Sequence, residues 1–167
     1  FFWAAQVMLI KFDGIEANGI VSAILQLRNL ILIIPGYVGL VVLPLFSKSI
    51  IAKDKKGYRS NLNKSIKLNL VFSIIMIIPF ICFPNFILGL FGSDFSDKTT
   101  YMSSFLAYIS IPLLVISNIY NQAFIAKNLG WVGLWVTIFW NIILIAGIYF
   151  FVYYLQMSVE GYMLSLL

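Results

Sequence analysis

Arg28 sits between Gln26 and Asn29, deep inside a long apolar run. Asn18 lies ten residues before it, about 15 Å of helix rise. A guanidinium near the centre of a bilayer costs about 2.5–3.5 kcal/mol on insertion scales, and such residues usually face a water-filled cavity. The competing reading is snorkelling to an interface or pairing within the fold. The same run carries Asn18, Ser22, Gln26 and Asn29 at steps of four, four and three, one helical face that Gly36 continues. Arg28 is one residue off that stripe, roughly 100° round the helix, with a side chain long enough to bend toward it. Further on, Ser103, Ser110, Ser117 and Asn121 align, flanked by Ser104, Asn118 and Gln122, and Gly133, Thr137 and Asn141 recur at steps of four. Polar stripes on three helices suit a hydrated path whose lining is Arg28, Gln26, Asn29, Ser22, Asn118, Asn121, Gln122 and Asn141. Ordinary interhelical hydrogen bonding between packed helices is the alternative for the same residues.

Other chemistry is missing. There is no histidine, Cys82 is alone, and no Asp or Glu lies inside an apolar run. That leaves no carboxylate pair for acid–base work or a cation site, and no metal-ligand cluster, phosphate loop or Ser/His/Asp set. No catalytic residue, metal site or cofactor is expected, and the chain does not read as an enzyme.

The elements that position these side chains follow from composition. The chain has 167 residues, is 62% hydrophobic and only 10% charged, against roughly 25% charged in a soluble domain. Six apolar pieces predict helices over about 1–11, 17–46, 61–91, 98–126, 130–155 and 160–167, with 47–67 a basic loop and helix start. The run 68–91 carries no charge and spans roughly 36 Å as a helix, enough to cross a bilayer. The fold class is therefore all-α, a polytopic membrane helical bundle, with 1–167 a single lobe and the first and last pieces read as truncated spans. Breaker-rich turns separate the pieces at 13–16, 92–97, 127–130 and 156–160. Pro44 and Pro84 mark helix ends, whereas Pro35 and Pro112 lie further inside and kink their helices, as suits a protein that rocks between states. Trp131 and Trp135 at one end of the fifth piece, and Tyr149, Tyr153 and Tyr154 at the other, fit interfacial aromatic belts.

Charge sets the orientation. Segment 47–67 holds Lys48, Lys53, Lys55, Lys56, Arg59, Lys64 and Lys67 against one acid, Asp54. Adding Lys127, one side has eight basic residues; the alternate loops have two, Lys11 and Lys98, against Asp13, Glu16, Asp94, Asp97 and Glu160. Cytoplasmic loops retain Lys and Arg, so the basic side faces the cytoplasm of a multi-pass inner-membrane protein. The net charge of +5 is thus topological, and no nucleic acid partner is expected. The basic segment has a second reading, an amphipathic helix lying along the membrane and binding anionic lipid headgroups.

Pro44-Leu45-Phe46-Ser47 closes a span, a basic loop follows, and the next span ends Leu90-Phe91-Gly92-Ser93-Asp94-Phe95. Then come Asn121-Gln122-Ala123-Phe124-Ile125-Ala126-Lys127-Asn128-Leu129-Gly130, Asn141 to Leu144, and Val159-Glu160-Gly161-Tyr162. In order and spacing this resembles the polysaccharide (O-antigen) flippases of the multidrug/oligosaccharidyl-lipid/polysaccharide exporter superfamily, over nearly the whole chain. The resemblance implies a two-lobed, MATE-like transporter of about twelve or more helices in the bacterial inner membrane. It would carry a lipid-linked oligosaccharide between leaflets by alternating access, with cationic cavity residues, here Arg28, holding pyrophosphate or acidic sugars. The partners implied are that substrate, membrane lipid and the other lobe of the same chain. Pro44-x-x-Ser47 points to the C-terminal lobe. A multidrug or toxin exporter of the same superfamily, and a membrane-embedded polysaccharide polymerase or glycosyltransferase, are the rival functions.

Overall fold

A computed structural model describes residues 2–89, 91–92 and 97–167. The elements are α1 (Phe2–Ile51), α2 (Lys55–Cys82), α3 (Pro84–Gly89), α4 (Lys98–Ala126), α5 (Gly130–Ile148), a π-helical turn (Tyr149–Tyr154) and α6 (Ser158–Ser165). No strand occurs among the described residues. Stretches within Trp3–Ile51, Lys55–Cys82, Thr99–Ala126 and Gly130–Tyr154 are long and apolar enough to cross a membrane. In lipid a helix satisfies its backbone groups internally, which leaves such runs no other open form.

α1 is a hairpin in one helical element. Gly14 has φ 94° and ψ 177°, a region essentially reserved for glycine. It separates arms 2–13 and 15–51, and the chain folds back there. Gln6 Nε2 donates to Ser22 Oγ at 3.5 Å across the turn, although sixteen residues of straight helix would set them about 24 Å apart. Ala5 and Leu9 of one arm share a core with Ala17, Val21 and Ile24 of the other. The pieces predicted over 1–11 and 17–46 are thus joined by a single-residue break, and the long arm runs on to Ile51.

The basic segment is the end of α1, a short connection and a helix start, with no separate amphipathic helix between them. Residues 52–54 make the connection, and 55–67 are the first turns of α2 itself, so they are rigid with the span they begin. Asp54 caps that helix: its Oδ1 accepts the Gly57 N–H at 2.9 Å. A Cβ on residue 57 would lie 2.2 Å from Asp54 Oδ2, so only glycine admits the carboxylate so close. All seven cations of the segment are exposed.

The far end of α2 breaks at Phe83 before α3. Leu90 and Ser93 to Ser96 lie outside the described residues, so the turn expected over 92–97 and Asp94 with it are not placed. The span expected over 130–155 is α5 continued by the π turn, and the last piece starts at Ser158.

Three clusters of buried side chains stack along the bundle. Near the acidic end, Val21, Leu144, Ile148, Val159 and Tyr162 pack together. Leu27, Ile31, Ile77, Tyr108 and Ile111 fill the middle. Val42, Phe46, Ile119 and Ala123 close the basic end. The long arm of α1 and α4 contribute to all three, so these two helices are the axis against which the others lean. Both ends are pinned. At the basic end Lys127 Nζ lies 4.6 Å over the Tyr58 ring, which itself packs 5.6 Å from Phe46. At the acidic end Ser158 Oγ donates to Asp13 Oδ2, and Phe12 meets the Tyr149 and Tyr153 rings.

Candidate functional site

The polar residues of the spans sort into two groups by what their side chains touch. In the first, short side chains bond their own helix and lie buried. Ser104 donates to the Thr100 carbonyl at 2.8 Å, Ser110 to Ala107 at 2.6 Å, and Ser165 to Tyr162 at 2.6 Å. A row on α2, unforeseen in the sequence reading, does the same: Ser73 donates to Leu70 at 2.9 Å and Asn69 Nδ2 to Ser65 at 3.1 Å. Ser65, Asn69, Ser73 and Ile77 are the buried face of that helix. Their four-residue step was the available signal, hidden among the lysines. Such residues let helices approach closely without leaving a donor unsatisfied.

The second group opens outward around α4. Between the long arm of α1 and α4 runs a groove of about 440 Å³ whose polar lining is Asn29, Tyr37, Asn118 and Gln122, with Gly36 in its wall. On the other flank, between α4 and α5, a cleft of about 480 Å³ is lined by Ser117, Asn118, Asn121, Gly133 and Thr137. Asn118 lines both. Glycines on the neighbouring helices make room for these carboxamides. A Cβ on Gly39 of α1 would lie 3.1 Å from Asn118 Oδ1, and one on Gly133 of α5 would lie 2.6 Å from Asn121 Oδ1. The two amides of α4 are therefore seated against bare backbone on each side, which fixes where they present their donors and acceptors. Gly39 was not among the candidate residues, Ser117 and Thr137 entered only as members of their stripes, and no pattern in the sequence marks Gly39.

The eight sequence candidates divide accordingly. Asn29, Asn118, Asn121 and Gln122 come together around α4. Asn141 Nδ2 donates to the Thr137 carbonyl at 2.7 Å, while Thr137 Oγ1 donates to Gly133 at 2.8 Å, so Asn141 sits beyond the cleft on its own helix. Ser22 accepts from Gln6 near the hairpin turn, and Gln26 is exposed outside both grooves. Arg28 lines neither groove. It is 7% exposed, behind the wall that Asn29 forms, within electrostatic reach of the Tyr162 hydroxyl. Its Nε and the Tyr162 hydroxyl, which is fully buried, both lack hydrogen-bond partners. No acidic side chain among the described residues pairs with it. One residue of helix, roughly 100°, separates a groove-facing amide from a core-facing cation. Among the described residues no group of three His, Cys, Asp or Glu is placed to hold a metal ion, and Cys82 is exposed and free.

An all-α bundle with four helices long and apolar enough to cross a membrane among its described residues defines a polytopic membrane protein. The model of the MatE family matches residues 1–150, and the chain belongs to that family, whose members are membrane transporters rather than enzymes. No curated protein and no solved structure matches it.

Proposed function

We propose that this MatE-family lobe translocates a lipid-linked oligosaccharide across the bacterial inner membrane by alternating access, together with a second lobe of the same chain. The observation that carries the reading is the chemistry of the groove beside α4. Three carboxamides, Asn29, Asn118 and Gln122, and the Tyr37 phenol line it, and no carboxylate does. Neutral amides donate and accept in equal measure, which matches the hydroxyls of a sugar. A carrier of organic cations is better served by an intramembrane carboxylate, which lowers the energy of a desolvated positive charge. The lipid part of such a substrate stays among acyl chains, so only its head needs a polar track along the bundle. Arg28 would bear on an acidic head only by leaving its packed position beside Tyr162, and its contribution is tested separately below.

The test is complementation. Full-length protein carrying Asn118→Leu with Gln122→Leu is expressed in cells lacking the gene, and surface polysaccharide is measured against wild type at equal membrane abundance. Export should fall at least tenfold. Wild-type export by the double variant would overturn the groove assignment. Unchanged polysaccharide in the gene deletion, with lost resistance to cationic drugs, would overturn the substrate class.

A further inference from the structure

The outward face of α2 changes chemistry within one turn. Lys64 and Lys67 are exposed on it, and Leu68, Val71, Phe72 and Ile75 follow, also exposed. Its inward face, Ser65, Asn69, Ser73 and Ile77, carries no charge. An exposed apolar helix face belongs among acyl chains, so the step from Lys67 to Leu68 marks where the hydrocarbon ends. The headgroup layer beyond that boundary is about 5–8 Å thick on each side. Lys64 and Lys67 lie within one turn of it, about 5 Å, whereas Arg59 is about 12 Å out and in line with Ile77 of the inward face.

We propose that this end of the α1–α2 hairpin is a binding site for anionic phospholipid headgroups, with Lys64 and Lys67 as the cations that contact them. Three features favour it over a purely topological role. Asp54, the sole acid of the segment, spends its Oδ1 on the Gly57 N–H, and among the described residues none of the seven cations has an acidic partner. The display is rigid: α2 is continuous from Lys55 to Cys82, and its first turns are held by Tyr58 against Phe46 under Lys127. Orientation during insertion needs only cations in the loop; it does not account for two of them fixed at headgroup depth on the membrane-facing side of a helix. The cation row ends directly on apolar surface, so its ligand is anionic where it meets Lys64 and oily one turn further on. A soluble acidic partner lacks the second property.

The test uses the full-length transporter in detergent, titrated with phosphatidylglycerol or phosphatidylcholine and followed by native mass spectrometry. At about fivefold per cation, Lys64→Gln and Lys67→Gln together should weaken phosphatidylglycerol binding roughly 25-fold. The tip variant Lys55→Gln and Lys56→Gln removes the same charge beyond headgroup depth and should weaken it less than fivefold. Should the first double variant fail to fold, Lys67→Gln alone should show the fivefold loss, and Lys67→Arg should restore it. Equal affinity for the two lipids, equal losses from the two double variants, or displacement of the lipid by inorganic phosphate as readily as by phosphatidylglycerol would each overturn the proposal.

Discussion

Gly36 allows the groove beside α4 to be separated from ordinary packing. It stands in the α1 wall of that groove, and a Cβ built on it meets nothing within 4 Å. Leucine there replaces a poor helix residue with a good one, worth about 0.5–1 kcal/mol in a helix interior. Its isobutyl group enters a space of about 440 Å³ between Asn29 and Gln122. Blocking two hydrogen bonds of about 1–1.5 kcal/mol each removes about 2–3 kcal/mol of substrate binding, a loss of roughly 30- to 150-fold at 1.4 kcal/mol per factor of ten. Gly36→Leu should therefore leave thermal stability unchanged or slightly raised while transport collapses. Gly19→Leu is the control, since Gly19 is exposed, also meets nothing within 4 Å, and lies outside the groove. It should give the same stability and wild-type transport. Stability is read by thermal unfolding of the purified protein and transport by glycan export. Wild-type transport by Gly36→Leu would refute the groove as the path. Unfolding of Gly36→Leu alone would show that another helix fills that space.

Arg28→Met should raise stability by about 1–4 kcal/mol, because it replaces an uncompensated buried charge with an apolar group of similar volume; loss of export in that more stable protein would show that the cation is kept for function. Gly14→Ala should destabilise by about 1–3 kcal/mol, the whole of it backbone strain at φ 94° since a Cβ meets nothing. Gly19→Ala, in a regular helix, should stabilise by about 0.5–1 kcal/mol, and the same sign for both in thermal unfolding would refute the hairpin geometry. Asp54→Ala removes the α2 cap and should lower stability by about 1 kcal/mol, with faster amide exchange confined to residues 55–60.

Helix content and order were legible in the sequence because lipid leaves apolar runs of this length no alternative. The turns at Gly14 and at 127–129 were legible for a related reason: breakers and charges collect where chains leave the membrane. The site was legible only in part. Ser103, Ser110, Ser117 and Asn121 form one stripe in sequence, yet Ser103 is fully buried near the acidic end while Ser117 and Asn121 open onto a cleft. Periodicity encodes which face a residue occupies, but not how far apart the neighbouring helices stand at that depth. Arg28 and Asn29 show the same limit, since a flexible side chain can serve either side of a stripe and its neighbours decide. The seat that Gly39 offers Asn118 depends on a contact between residues far apart in the chain, which no local pattern carries.

The π-helical turn at Tyr149–Tyr154 bears on how this chain tolerates changes of length. Its wider winding holds an extra residue locally, with Leu155 N–H bonding back to Phe150. Losing one residue there would tighten the turn to ordinary α geometry and leave Val159, Tyr162 and Met163 facing the partners they now meet. The same deletion within 130–148 would turn everything downstream by about 100° and swing those side chains off their core. Of the stretch from Gly130 to Tyr154, this turn is where evolution could have gained or shed a residue without re-docking α6.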